Sequence, residues 1–214
     1  MDDFGVAADR LAELGRVLYA RGWLSATSGN LSAVVRREPL RLAITPSGLH
    51  KGRLTSGQIV LLNDAGEVNS GSGSPSAEWR LHVAIVQTTG AAAVLHTHSM
   101  WSTTLSQLHL RDGGVAISGY EMLKALAGVS SHEHREWLPI VENSQNMPAL
   151  EGAITDLLRR EAGAHGVLIR GHGLYTWGSD LEEAIRHLEA LEFLMEVTGM
   201  VALAEARQKS ALAA

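Results

Sequence analysis

The stretch that most constrains this chain is Ala91-Ala92-Ala93-Val94-Leu95, an apolar run closed by His96-Thr97-His98. A short run with no polar residue on either side reads as a strand buried within a sheet. Alternate strand positions face the same way, so His96 and His98 project together. With a third imidazole from elsewhere, such a pair can grip one metal ion and leave a coordination position open, as catalytic rather than structural sites do. His172, held between glycines in Arg170-Gly171-His172-Gly173, is the candidate third ligand.

Ten histidines in 214 residues make one chance His-x-His unsurprising. The chain carries its own control, because His132 and His134 repeat the spacing within Ser-Ser-His-Glu-His-Arg-Glu-Trp. Those flanks are charged and unpatterned, which reads as a solvated loop. A buried strand sets His96 and His98 apart.

The length predicts one α/β domain over residues 1–214, with its core over about 8–205. A net charge of −5 provides no basic face for nucleic acid, so an anionic small molecule would have to be held locally. The absence of cysteine rules out disulfides and thiolate metal sites. The acidic start Met-Asp-Asp-Phe lacks the pattern of a signal peptide, and no apolar run approaches membrane-spanning length, so a cytoplasmic protein that binds no membrane is expected.

Periodicity predicts helices over 2–21, from Ser74 to about Gly90, from Ser99, over Tyr120–Leu126 and over Pro148–Glu161. Ser179-Asp180-Leu181-Glu182 reads as a capping box opening a last helix that reaches toward Arg207. Strands are expected at Leu31–Val35, Arg41–Ile44, Gln58–Leu62, Val115–Ile117, Leu138–Val141, Val167–Arg170 and Leu174–Trp177, with Asn69–Ser74 a loop. Hairpins and helix-linked strands together imply a mixed sheet.

Three turn-like segments could cradle an anion: Thr27-Ser28-Gly29-Asn30, Thr45-Pro46-Ser47-Gly48 with Lys51 beyond, and Ser74-Pro75-Ser76-Ala77-Glu78. Each offers backbone N–H groups and hydroxyls, and the last adds a helix start. Each is also an ordinary turn when taken alone. Glu78 and Glu121 are both candidates for proton transfer, and pattern alone does not choose between them. Met122 and Trp101 could line a pocket or simply pack in the core.

Ser-Gly-Asn, Thr-Pro-Ser-Gly, Pro-Ser-Ala-Glu, His-Thr-His and Gly-His-Gly, in this order and spacing, resemble the class II aldolase/adducin-type family over residues 8–205. The resemblance implies a three-layer α/β/α sandwich around a mixed central sheet. It implies one Zn²⁺ per subunit on His96, His98 and His172. It also implies a phosphate cup from Ser28, Gly29, Asn30, Ser47, Gly48 and Ser76 with Lys51 nearby, and a ring-like homotetramer with sites near subunit contacts. Gly119–Leu126, Leu138–Asn143, Met147–Leu150 and Arg170–Gly178 most resemble the family's dehydratases, which remove water from 5-methylthioribulose 1-phosphate in methionine salvage. In the dehydratases the acid/base is the glutamate matching Glu121, and in the aldolases the one matching Glu78. Ala77 departs from the Ser-Ser pair of several aldolases, removing a hydroxyl from the cup. Aldolase or epimerase action on fuculose, rhamnulose or ribulose phosphates is the alternative, and a non-catalytic adducin-type module a second.

Overall fold

The computed structural model describes residues 3–212. Residues 1 and 2, where the expected first helix was to begin, and the end of the alanine-rich tail at 213–214 lie outside the described residues. Five α-helices flank the sheet: α1 (Asp3–Ala20), α2 (Trp79–Thr89), α3 (Met100–Leu108), α4 (Met147–Arg160) and α5 (Leu181–Leu212). The strands are β1 (Asn30–Arg36), β2 (Arg41–Ile44), β3 (Val60–Leu62), β4 (Val68–Ser70), β5 (Ala93–Thr97), β6 (Gly114–Ile117), β7 (Glu136–Val141), β8 (Gly166–Ile169) and β9 (Gly173–Gly178). They form one sheet of order β4-β3-β2-β1-β5-β9-β8-β7-β6. Every pairing is antiparallel except β7 with β8. The sheet is therefore mixed, as the sequence implies.

The alternation of side chains across the strands divides the core in two. Leu31, Leu95, Leu168 and Leu174 face α1, α3 and α5, where they pack with Leu11, Leu105, Leu188 and Leu191. Val94, Val167, Ile169 and Tyr175 face α2 and α4 and meet Leu81, Ile85, Leu150 and Ile154. Two helical layers thus cover a sheet with no wet face at its centre, the three-layer sandwich expected. The apolar run is where the sequence placed it, since β5 lies fully buried between β1 and β9. Among the described residues no helix is long and apolar enough to cross a membrane.

Four local expectations change. Asn69 and Ser70 belong to β4, a short exposed strand hydrogen-bonded back onto β3, rather than to a loop. Pro75 bridges Pro46 in extended form, so α2 begins at Trp79 with Glu78 as its N-cap rather than at Pro75. Tyr120–Leu126 folds as a 3-10 turn over Glu121–Ala125. The capping box of α5 is displaced by one residue. Asp180 accepts the Glu183 N–H at 2.8 Å, and Glu183 in turn accepts the Ser179 N–H at 2.7 Å.

Candidate active site

One row across three strands builds the site. Asn30 on β1 stands opposite His96 on β5, and His96 stands opposite Tyr175 on β9. All three project toward the α2/α4 layer. The Tyr175 ring stacks on the His96 imidazole at 3.9 Å between centroids, tilted by 11°. Its hydroxyl is buried, and burial together with the Glu78 carboxylate holds its pKa well above the ordinary value.

His98 follows β5 directly, and His172 lies in the tight turn between β8 and β9. Two glycines permit this convergence. Gly29 has φ +68°, and a Cβ there would come within 2.6 Å of the His96 carbonyl oxygen. At Gly173 a Cβ would collide with the Thr97 carbonyl oxygen, so only glycine lets β9 run this close to the ligand strand.

The Nε2 atoms of the three histidines face one another: His96 to His98 at 2.8 Å, His98 to His172 at 3.0 Å, and His96 to His172 at 3.3 Å. His96 donates through Nδ1 to the Leu174 carbonyl at 2.9 Å, which leaves a bare lone pair on its Nε2. Burial, then the charges of His98 and His172, depress the His96 pKa well below its ordinary value. Burial lowers that of His98 to about 4, helped by His172 and Lys51. His96 and His98 therefore offer neutral nitrogens at neutral pH. A tetrahedral ion with bonds of about 2.0–2.1 Å spaces its ligands by about 3.3 Å, so these separations suit one metal ion after small relaxation. The donor set fits a metal.

Glu78 completes the centre. Its Oε1 lies 3.3 Å from His172 Nε2 and its Oε2 3.5 Å from His96 Nε2. Asn30 Nδ2 donates to Oε2 at 2.6 Å and to the Ser76 hydroxyl at 3.0 Å.

A cavity of about 160 Å³ opens onto His98 and His172, and Ser28, Gly29, Asn30, Ser47, Gly48, Lys51, Ser76 and Glu78 all line it. The three turn segments, His98 and His172 thus meet at one place. Lys51 is buried, and its Nζ donates to the carbonyls of Thr27 at 3.1 Å and Leu49 at 3.0 Å. Two of its three N–H groups are thereby used. Desolvation lowers its pKa to about 8. The Asn30 amide, by contrast, is already engaged with Glu78 and Ser76, so only part of the expected cup is free to meet an anion.

Glu121 lies elsewhere. Its side chain is 70% exposed, ion-paired to Lys124 and lying 3.4 Å from His132, and it does not line this cavity. The Lys124 hydrogen bond and charge hold its carboxyl below the usual range. Met122 beside it is exposed, whereas Trp101 packs against the core of α1, α3 and α5. The control pair behaves differently from a bare loop. His134 contacts the buried carboxylate of Glu136 at 2.9 Å, and His165 contacts the same group at 3.0 Å. A larger cleft of about 490 Å³ opens beside these residues, but the metal-ligand cluster is not there.

Pattern reading missed His82 and Tyr175. Both sit on apolar faces, where a histidine or tyrosine reads as core. The one signal for His82 is its position a helical turn after Glu78.

Residues 9–198 match the model of the class II aldolase and adducin N-terminal domain. The chain is 46% identical over 196 residues to the methylthioribulose-1-phosphate dehydratase of Methylococcus capsulatus, covering 91% of this chain and 94% of that protein. It is 42% identical over 194 residues to the enzyme of that name from Marinobacter nauticus, covering 90% and 92%. Among solved structures, L-fuculose-1-phosphate aldolase from Thermus thermophilus superposes with a TM-score of 0.72 over 95% of this chain and 97% of that one, at 24% identity. That likeness bears on the fold alone. The match over most of the chain, and the dehydratase relatives of nearly equal length, lead to one conclusion: the chain belongs to the class II aldolase and adducin N-terminal domain family.

Proposed function

We propose that this chain is a zinc-dependent hydro-lyase that converts 5-methylthioribulose 1-phosphate to 2,3-diketo-5-methylthiopentyl 1-phosphate, acting in methionine salvage in the cytoplasm. The observation that carries this reading is the sequence identity to dehydratases over more than 90% of their length. The buried three-histidine centre with Glu78 against it supports the chemistry.

His96, His98 and His172 would hold the zinc, which supplies Lewis acidity toward a ketose carbonyl oxygen. Lys51 has one N–H left for a phosphate oxygen, and the backbone of the Ser28-Gly29 and Ser47-Gly48 turns lines the same cavity. Glu78 is the carboxylate placed to take the C3 proton. Loss of the C4 hydroxyl as water then needs a proton from an acid, and the enol left behind tautomerises to the diketone.

Glu121 is our assignment for that acid. Exposed and outside this cavity, it would act in the site of a second copy, in the homotetramer that we also propose. Mixed oligomers of His96→Ala and Glu121→Gln chains, each inactive alone, should then regain part of the wild-type activity. If every mixture stays inactive, Glu121 is not donated between subunits.

Glu78 at the centre also suits a sugar-phosphate aldolase, so one experiment must separate the two. Zinc-loaded protein is incubated with methylthioribulose 1-phosphate and, separately, with deoxyhexulose 1-phosphates. Diketone absorbance from the first substrate alone supports the dehydratase. An aldehyde with dihydroxyacetone phosphate from the second replaces it with the aldolase.

A further inference from the structure

His82 is fully buried on α2, four residues after Glu78. Neither ring nitrogen faces solvent. Nδ1 lies 2.7 Å from the Ser32 hydroxyl, and Nε2 contacts Asn30 Oδ1. Asn30 and Ser32 sit two apart on β1, on the face that carries His96 across the sheet. Two side chains of one strand and two of one helix, Glu78 and His82, thus form a continuous hydrogen-bonded path that ends at the reacting carboxylate.

The path has one consistent direction. Asn30 turns its Nδ2 toward Glu78 and donates to Oε2 at 2.6 Å. Its Oδ1 then faces His82 and needs a donor, which puts the imidazole proton on Nε2. Nδ1 is left as an acceptor and takes the Ser32 hydroxyl proton. Burial lowers the His82 pKa to about 3, so the ring stays neutral and this single tautomer can persist. The edge of the His82–Tyr175 contact, 5.7 Å between centroids at 70°, holds the ring in place.

We propose that His82 is a positioning residue for Glu78: its Nε2–H fixes the Asn30 amide, which binds Glu78 Oε2 and leaves Oε1 as the oxygen that takes and returns the proton. This assignment rests on the reading of Glu78 as a proton-transfer group. Oε1 is the oxygen that lies 3.3 Å from His172 Nε2. Without His82 the amide can rotate, and the carboxylate loses the donor that orients it.

The test begins on the unaltered protein. Long-range ¹H–¹⁵N correlation spectra should show His82 protonated at Nε2 and bare at Nδ1, unchanged between pH 6 and pH 9. Protonation at Nδ1 overturns the proposal, whatever the substrate proves to be. Turnover then separates positioning from packing. His82→Leu should lower kcat about 10–100-fold with KM within about threefold, as expected when a reacting group is misplaced. His82→Gln, which can still offer an N–H to Asn30, should recover kcat to within about threefold of wild type. Equal loss in both variants, or none in His82→Leu, overturns the proposal. No turnover of any ketose 1-phosphate by wild-type protein, with the Nε2–H tautomer present, counts instead against the proposed substrate.

Discussion

Oε1 of Glu78 lies 3.3 Å from Nε2 of His172, so a carboxylate stands beside the point on which three imidazole nitrogens converge. A cation at that point would satisfy the three nitrogens and offset the charge of the neighbouring carboxylate. Without one, the lone pairs confront each other in a buried setting.

Metal removal should therefore destabilise the fold as well as stop turnover. At a metal concentration 100 times Kd, binding contributes about 2.7 kcal/mol. For a domain of this size that corresponds to a Tm lower by about 5–10 °C after chelation. His96→Ala should contain well under one metal per chain by elemental analysis and show no Tm response to the chelator.

Glu78→Gln keeps the shape of the side chain and removes its proton chemistry. A fall in kcat of about 10²–10⁴-fold is expected, with metal content unchanged. Steady-state rates with matched metal analysis check both halves. Normal turnover in this variant would leave Glu121 as the acid/base carboxylate.

Lys51 titrates within a working pH range because burial favours its neutral form. Its charge is present below about pH 8 and lost above it, so kcat/KM for a phosphorylated substrate should fall as pH rises past 8. Lys51→Met should raise KM about 10–100-fold with little change in kcat. The alkaline fall should also vanish in the variant, as pH–rate profiles of both proteins would show.

Glu192 is buried on α5, where it accepts the Thr97 hydroxyl proton at 2.8 Å between the two strand-borne ligands. Desolvation raises its pKa to about 7 against an ordinary 4.5. The folded state thus binds more protons than the unfolded one between these values, and stability declines as pH rises from 4.5 to 7, then levels off. Glu192→Gln removes that decline. Urea unfolding at pH 5 and pH 8 should show the variant gaining roughly 2–3 kcal/mol relative to wild type between the two.

Glu136 and His165 form a buried pair whose pH window has two edges. Desolvation opposes the charge on each, but the mutual hydrogen bond and attraction prevail, lowering the Glu136 pKa and raising that of His165. The depressed carboxyl contributes above 4.5 and loses its effect as pH falls through its folded value. The raised imidazole contributes below 6.5 and loses its effect as pH rises through its own. Glu136→Gln should therefore lower Tm most near pH 5–6.5, by an amount equivalent to about 3–5 kcal/mol for a broken buried pair. Melting curves across pH 4–9 test this.

Much of the architecture was legible because periodicity is a local record of burial. The β1–β2 hairpin, the buried β5, the stripe of α4 and the N-cap Ser99 of α3 all stand close to where spacing places them. Pro75 was misread for a reason that spacing does not hold. Proline suits the first turn of a helix and an extended bridge equally, and its contact with Pro46 decided between them. His134 likewise looked solvated, because its partner carboxylate Glu136 is also held by His165, 29 residues farther along the chain.

The chain by itself determined the chemistry of the candidate metal ligands and the strand that positions two of them, since His-x-His geometry follows from the period of a strand. It also determined the glycines that let Asn30 and His172 approach that strand. Which carboxylate meets the histidines was left open, because Glu78 and Glu121 look alike along the sequence. Only the tertiary structure decided that Glu78 reaches them within one subunit, through the register that aligns Asn30, His96 and Tyr175 across three strands. Register and helix docking are long-range choices, and a group's reach depends on them rather than on its neighbours in the chain.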